Sequence, residues 1–184
     1  MTRCERLLKV FRDGLDAYKD FATEIYQVAY EFVTKVMRKM AKPATLGAGY
    51  RLGGGDLKGD KKTGLWGYAE NMGVDMTRKE AHSHVRTFRR VYPEIPKTWY
   101  ALEDAIKQTI RTGRPTTAAK CKFRIVQSTR VNKTKFLLCE LPSGRCIYYH
   151  RPMIKRKPFE FVDSETGEKK RIMKDAIIYM ASVS

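Results

Sequence analysis

Acidic residues are scarce in this 184-residue chain: 20 Asp and Glu stand against 37 Lys and Arg, a formal charge of +17. Solubility does not require so large an imbalance. It implies a polyanion nearby: nucleic acid, nucleotide phosphates or an anionic membrane surface. No apolar run reaches the roughly eighteen residues of a membrane-spanning helix, so no membrane partner is expected. The start, Met1 to Leu8, lacks the apolar stretch and cleavage site of a secretory leader. Only Cys4, Cys121, Cys139 and Cys146 occur, with no Cys-x-x-Cys pair. A disulfide framework and a zinc site are both unsupported, and a reducing, cytoplasmic location is expected. Internal repeats and low-complexity tracts are absent as well. What the chain does have is 42% hydrophobic residues, enough for a core.

The period of those residues changes along the chain. Up to residue 113 it is helical. Leu7, Leu8, Val10 and Phe11 predict a helix that stops near Asp13-Gly14, and Asp16 is placed to cap a second with Phe21, Ala22, Ile25 and Tyr26 inward. Ala29, Phe32, Val33, Val36, Met37 and Met40 also fall at helical spacing. Gly53 to Gly64 reads as a loop. Thr77-Arg78-Lys79-Glu80 is a capping box, followed by the apolar stripe Ala81, Val85, Phe88 and Val91. The opposite stripe is basic: Arg78, His82, Arg86 and Arg89. Pro93 ends that helix and Pro96 opens another, with Trp99, Leu102, Ile106 and Ile110 inward, closed by Gly113-Arg114-Pro115.

From residue 114 to 184 the pattern suits strands. Phe136 to Glu140 and Arg145 to His150 flank the turn Leu141-Pro142-Ser143-Gly144. Phe159 to Val162 and Lys169 to Met173 flank a second turn, Asp163 to Gly167. Ala176 to Ala181 reads as a last strand. The fold class expected is α+β, mainly helical and then a small antiparallel sheet.

Several chemistries fail on spacing. Gly47-Ala48-Gly49 lacks a preceding strand and a third glycine in register, so close backbone packing on a helix is the better reading. His82 and His84 point to different sides of a helix. Asp56 and Asp60 lack calcium-loop spacing. No metal ligand set is assigned in the chain.

Residues 38 to 50 are different. Arg38, Lys42, Leu46 and Tyr50 recur every four positions, which lines them along one side of a helix. Arg38 and Lys42 would lie roughly 6 Å apart along the axis, within reach of one polyphosphate, with Tyr50 roughly 12 Å beyond. Gly47, Ala48 and Gly49 leave room for a flat ligand. Such spacing also describes an ordinary solvated basic face, and Pro43 implies a helix kinked or newly started there.

The string Arg38-x-x-x-Lys42-Pro43-Ala44-x-Leu46-Gly47-x-Gly49-Tyr50 resembles motif B, the nucleotide-binding helix in the fingers of family A DNA polymerases, in its phage-type form. Leu7 to Gly14 with Asp16-Ala17-Tyr18 is similar to the stretch after motif A. Thr77 to Pro93, the turn Leu141 to Arg145 with Tyr148-Tyr149, and Ile178-Tyr179-Met180 continue the likeness in order. The resemblance implies that Arg38 and Lys42 hold the triphosphate of an incoming deoxynucleotide, Lys42 as proton donor to leaving pyrophosphate. It implies that Tyr50 meets the sugar and the templating position. Leu46 stands where many members put an aromatic, and Tyr18 where others have histidine. The basic stripe, with Arg78, Arg86 and Arg89, is the expected contact to primer-template DNA. The cluster Arg151, Lys155, Arg156 and Lys157 fits nucleic acid too.

That family works with Mg2+ held by aspartates of motifs A and C. Motif A would fall just before Met1 and motif C, with its His-Asp-Glu, beyond Ser184; no His-Asp-Glu occurs in the chain. The expectation is therefore a replication polymerase segment in bacteria or a phage-infected host. Residues 1–113 would be the fingers and 114–184 a hairpin-containing part of the same incomplete domain. It would need palm and thumb segments, be inactive alone, and leave some apolar helix faces exposed. The competing readings are a stand-alone basic nucleic-acid-binding protein and a helical module whose charge only solvates it.

Overall fold

The computed structural model describes residues 4–56, 61–129, 133–162 and 168–180. Among them helices come first and an antiparallel sheet second, the α+β class the sequence predicts. The chain forms two compact units, Thr2–Lys97 and Thr98–Ser184.

The first unit holds α1 (Glu5–Arg12), α2 (Ala17–Tyr26), α3 (Lys35–Gly49), α4 (Gly64–Asn71) and α5 (Arg78–Val91). Its core is aromatic. Phe21 of α2, Phe88 of α5 and Tyr92 just beyond α5 are fully buried, with ring centroids 5.7, 5.9 and 5.0 Å apart. Edge-on and tilted contacts of this kind suit the ring quadrupoles. Tyr92 carries a hydroxyl into that core, and it donates to Asp20 Oδ2 at 3.1 Å. Asp20 in turn takes a two-pronged contact from Arg6 of α1, at 3.0 and 3.1 Å, while Arg6 also reaches Glu24 at 2.6 Å. Burial works against the Arg6 charge, but these carboxylates outweigh it and hold the guanidinium protonated.

The expected caps are present. Asp16 accepts from the Tyr18 and Lys19 N–H groups. Thr77 and Glu80 make the full capping box. The hairpin Leu141 to Gly144 forms too, with Gly144 at φ +80 and the Leu141 N–H bonded to the Arg145 carbonyl. Three readings need correction. The spacing from Ala29 to Met40 predicts one helix. Instead a 3₁₀ turn, Tyr30–Phe32, precedes α3, which starts at Lys35 because Thr34 is extended and caps it. Phe32 and Val36 are consequently 73% and 70% exposed. Pro43 does not begin a helix either: α3 runs through it. Ala176 to Met180 is no separate strand but the end of β5. The sequence pattern also missed α4.

In the second unit, the bulk of α6 (Glu94–Thr112) precedes a five-stranded meander. Its strands are β1 (Thr116–Ala118), β2 (Cys121–Gln127), β3 (Lys135–Glu140), β4 (Cys146–Val162) and β5 (Lys169–Met180). β1 and β2 were not anticipated, and the turn Asp163 to Gly167 lies outside the described residues. Phe123, Leu137 and Cys139 on one face pack with Ala105 of α6, flanked by Leu102, Ile106 and Ile110. Alternation of side chains across each strand sends the intervening residues to the opposite face.

Candidate functional site

Asp16 organises the surroundings of α3. One carboxylate oxygen, Oδ1, caps α2 by accepting from the N–H groups of Tyr18 and Lys19, at 2.8 and 3.1 Å. The other, Oδ2, accepts from Arg38 Nε at 2.7 Å. Its own N–H donates to the Tyr30 hydroxyl at 2.9 Å. Partial burial pushes the Asp16 carboxyl up, yet the Arg38 and N–H contacts outweigh it and hold its pKa below the usual carboxylate value. A locked carboxylate at the N-terminus of α2 thus fixes where the Arg38 guanidinium lies.

Cations then gather on two tyrosine faces. Arg38 lies 5.0 Å and Lys42 5.9 Å from the centre of the Tyr18 ring. Lys19 lies 4.9 Å from the Tyr30 ring. The ring quadrupoles attract these charges without neutralising them. Arg38 and Lys42 are both part-exposed, so positive charge one helical turn apart is presented to solvent. Such a pair can grip a polyphosphate.

Of the residues singled out in the sequence, the structure therefore brings Tyr18, Arg38 and Lys42 together. Leu46 is half-buried on α3. Tyr50 follows its C-terminus and is 88% exposed. No described interaction joins either to the cluster. Asp16, as the partner of Arg38, and the Lys19–Tyr30 pair were missed. Asp16 was legible only as a cap, and no spacing rule connects it to a position 22 residues away.

The opposite face of α3 explains its small residues. Ala41, Ala44, Gly47 and Ala48 are buried. A Cβ on Gly47 would stand 3.0 Å from Leu52 Cδ2 and 3.1 Å from Tyr68 Cδ1. Close packing, not a dinucleotide loop, accounts for that glycine.

The basic stripe of α5 is divided. Arg78 lies over the Trp66 ring at 4.4 Å. His82 Nε2 is 3.0 Å from the Gly55 carbonyl oxygen. Arg86 and Arg89 are exposed. No described contact links the stripe to the Tyr18 cluster. Among the described residues no group of three or more His, Cys, Asp or Glu stands together. Asp16, the carboxylate described at the cluster, is committed to Arg38 and two N–H groups. These residues do not make a magnesium site. No described helix is long and apolar enough to cross a membrane.

No family model matches the chain. Curated relatives do. The chain is 28% identical over 149 residues to a "DNA polymerase" of Bacillus phage SP02, covering 80% of this chain and 21% of that protein. It is 26% identical to the "DNA polymerase I" of Geobacillus stearothermophilus, over 61% of this chain and 11% of the relative. With the "DNA polymerase I" of Bacillus subtilis the identity is 25%, over 72% of the chain and 13% of the relative. The chain thus spans about a fifth of the phage protein it matches and less of the bacterial ones. The resemblance read from the sequence holds: the chain is similar to a segment of family A DNA polymerases.

Proposed function

We propose that this chain, a relative of one segment of family A DNA polymerases, is the part of a DNA-directed DNA polymerase that binds the incoming deoxynucleoside triphosphate. The observation that carries the reading is the convergence of Arg38 and Lys42 on the Tyr18 ring, inside the string that resembles motif B. Arg38, held by Asp16, and Lys42, one turn on, grip the phosphates. In nucleotidyl transfer the primer 3′-hydroxyl loses its proton to water, its oxygen bonds to the α-phosphorus, and the bond between the α-phosphorus and the oxygen bridging to the β-phosphate breaks. The Lys42 ammonium gives its proton to that departing oxygen. Leu46, further along α3, and Tyr50, just past its end, meet sugar and base. Arg78, Arg86 and Arg89 contact primer-template DNA. Mg2+ would supply charge stabilisation in the complete polymerase. Palm and thumb segments are the partners, and the chain alone does not extend a primer during replication chemistry.

Isothermal titration of the chain with a deoxynucleoside triphosphate tests the reading. Lys42→Ala is expected to abolish that binding and leave duplex affinity intact. A Lys42→Ala chain that binds triphosphate as well as the parent sinks the assignment. If the change only trims salt-dependent DNA affinity, the chain is a generic basic nucleic-acid binder, the reading that the +17 charge favours. Robust template-dependent extension by the purified chain would overturn its inactivity alone.

A further inference from the structure

The register of the sheet sorts the second unit's charge. Phe123, Leu137, Cys139 and Tyr149 pack with α6, and Asp175 of β5 pairs with Arg111 of α6, so those positions mark the helix-covered face. Their neighbours in sequence mark the other. Arg124 pairs with Leu138 and Lys122 with Glu140; Leu138 pairs with Tyr148 and Phe136 with His150. One extra residue of β4 between His150 and Met153 keeps the face the same across the bulge. Beyond it Lys155 pairs with Ala176, Lys157 with Lys174 and Phe159 with Ile172. The face away from α6 therefore carries Lys122, Arg124, Lys155, Lys157 and Lys174, all exposed. Among the described strand residues Glu140 is its acidic member, and Lys122 already offsets it at 3.2 Å.

Aromatic rings interleave with this charge. Tyr148 is 59% and Phe159 47% exposed. Phe136 stacks on His150 at 5.2 Å and meets Tyr148 edge-on at 6.4 Å, so the rings are held rather than free to fold away. Lys174 lies 4.3 Å from the Phe159 ring. From Tyr148 to Phe159 the strand runs roughly 30–35 Å, the length of a few nucleotides of unpaired strand.

We propose that this face of the β2–β5 sheet is a docking surface for single-stranded DNA. Bases stack on Tyr148 and Phe159, and phosphates lie along Lys155, Lys157, Lys174, Lys122 and Arg124. Charge complementarity selects a polyanion. The exposed rings select unpaired bases, because a duplex buries the base faces that stacking needs. The surface lies in a different unit from the Tyr18 cluster and does not rest on the triphosphate reading.

Fluorescence anisotropy of the full chain with labelled oligothymidylate, across a salt series, tests this. Tyr148→Ala is expected to weaken binding about tenfold without changing the salt slope, Tyr148→Phe to restore it, and duplex affinity to stay within about twofold. Lys155→Gln/Lys157→Gln/Lys174→Gln is expected to flatten the plot of log K against log salt by about 2. Lys42→Ala is expected to leave oligothymidylate binding unchanged, so loss of triphosphate binding and loss of this surface read out separately. The proposal is overturned if Tyr148→Ala and the lysine variant both bind like the parent with the sheet's circular dichroism intact. It is equally overturned if Tyr148→Ala weakens duplex binding as much as single-strand binding, or if Lys42→Ala alone abolishes oligothymidylate binding.

Discussion

At the residue scale, buried polar groups decide what pH does. His84, on the inner side of α5, is 5% exposed, and its Nδ1 has no hydrogen-bond partner among the described residues. Burial lowers its pKa, and the nearby Glu80 carboxylate only partly opposes this. A base with a folded pKa below its unfolded value of about 6.5 binds more protons unfolded. Its contribution is intact above that value and declines as pH falls from there towards the folded pKa, by at most about 1.4 kcal/mol per pH unit. Urea melts at pH 7.5 and 5.5 are expected to show this loss, and His84→Gln to remove it. An equal loss in the variant would place the acid sensitivity elsewhere. Asp16 separates two roles in a similar way. Asn still caps, so Asp16→Asn loses only the part-exposed Arg38 pair, under about 1 kcal/mol. Asp16→Ala loses the cap as well, about 1 kcal/mol more. Equal thermal shifts for the two would refute that division. The thiols sort by burial too: Cys146 is exposed, whereas burial beside Cys121 pushes Cys139 up to about 11. Iodoacetamide at pH 8 is therefore expected to label Cys146 well before Cys139 in peptide maps.

At the element scale, the sequence was most legible where a local rule closes on itself. The Thr77–Glu80 box, the Asp16 cap and the Leu141–Gly144 turn each depend on residues within a few positions, and each formed. Thr77→Ala is expected to cost about 1 kcal/mol in chemical denaturation; no change would mean α5 is held by packing alone. Failures came where distant contacts overrule a pattern. Phe32 and Val36 fit a helical stripe, but the Thr34 cap starts α3 after one of them and turns the other outward. β1, Thr116–Ala118, is too short to carry a period, whereas β2 was legible and overlooked: Cys121, Phe123 and Ile125 alternate with Lys122 and Arg124. The Tyr18–Arg38–Lys42 cluster was half visible. Spacing put the two cations on one helix side, and only the resemblance brought in Tyr18. What held Arg38 in place, Asp16, needed the folded chain. Gly47 shows the same limit from the packing side: Gly47→Val would press branched carbons against Leu52 and Tyr68 and is expected to cost more than about 1 kcal/mol.

At the scale of the whole molecule, +17 is a total that says nothing about where a polyanion binds. Besides the Arg38–Lys42 pair, two regions of the described residues compete for it: the solvent side of α5, where Arg86 and Arg89 are exposed, and the sheet face away from α6, where the basic side chains are exposed around the buried Leu138. Each neutralised phosphate of duplex DNA lowers the slope of log K against log salt by about 0.9, and of single strands by about 0.7. Duplex binding through α5 predicts that Arg86→Gln/Arg89→Gln flattens the duplex slope by nearly 2 and leaves the oligothymidylate slope alone. The sheet lysine variant should give the converse. Each substitution removes exposed charge away from the Phe21–Phe88–Tyr92 core, so stability is expected to change by less than about 0.5 kcal/mol and cannot stand in for lost binding. If both variants flatten both slopes equally, the charge acts as one diffuse field, and the helix and sheet have no separate substrates.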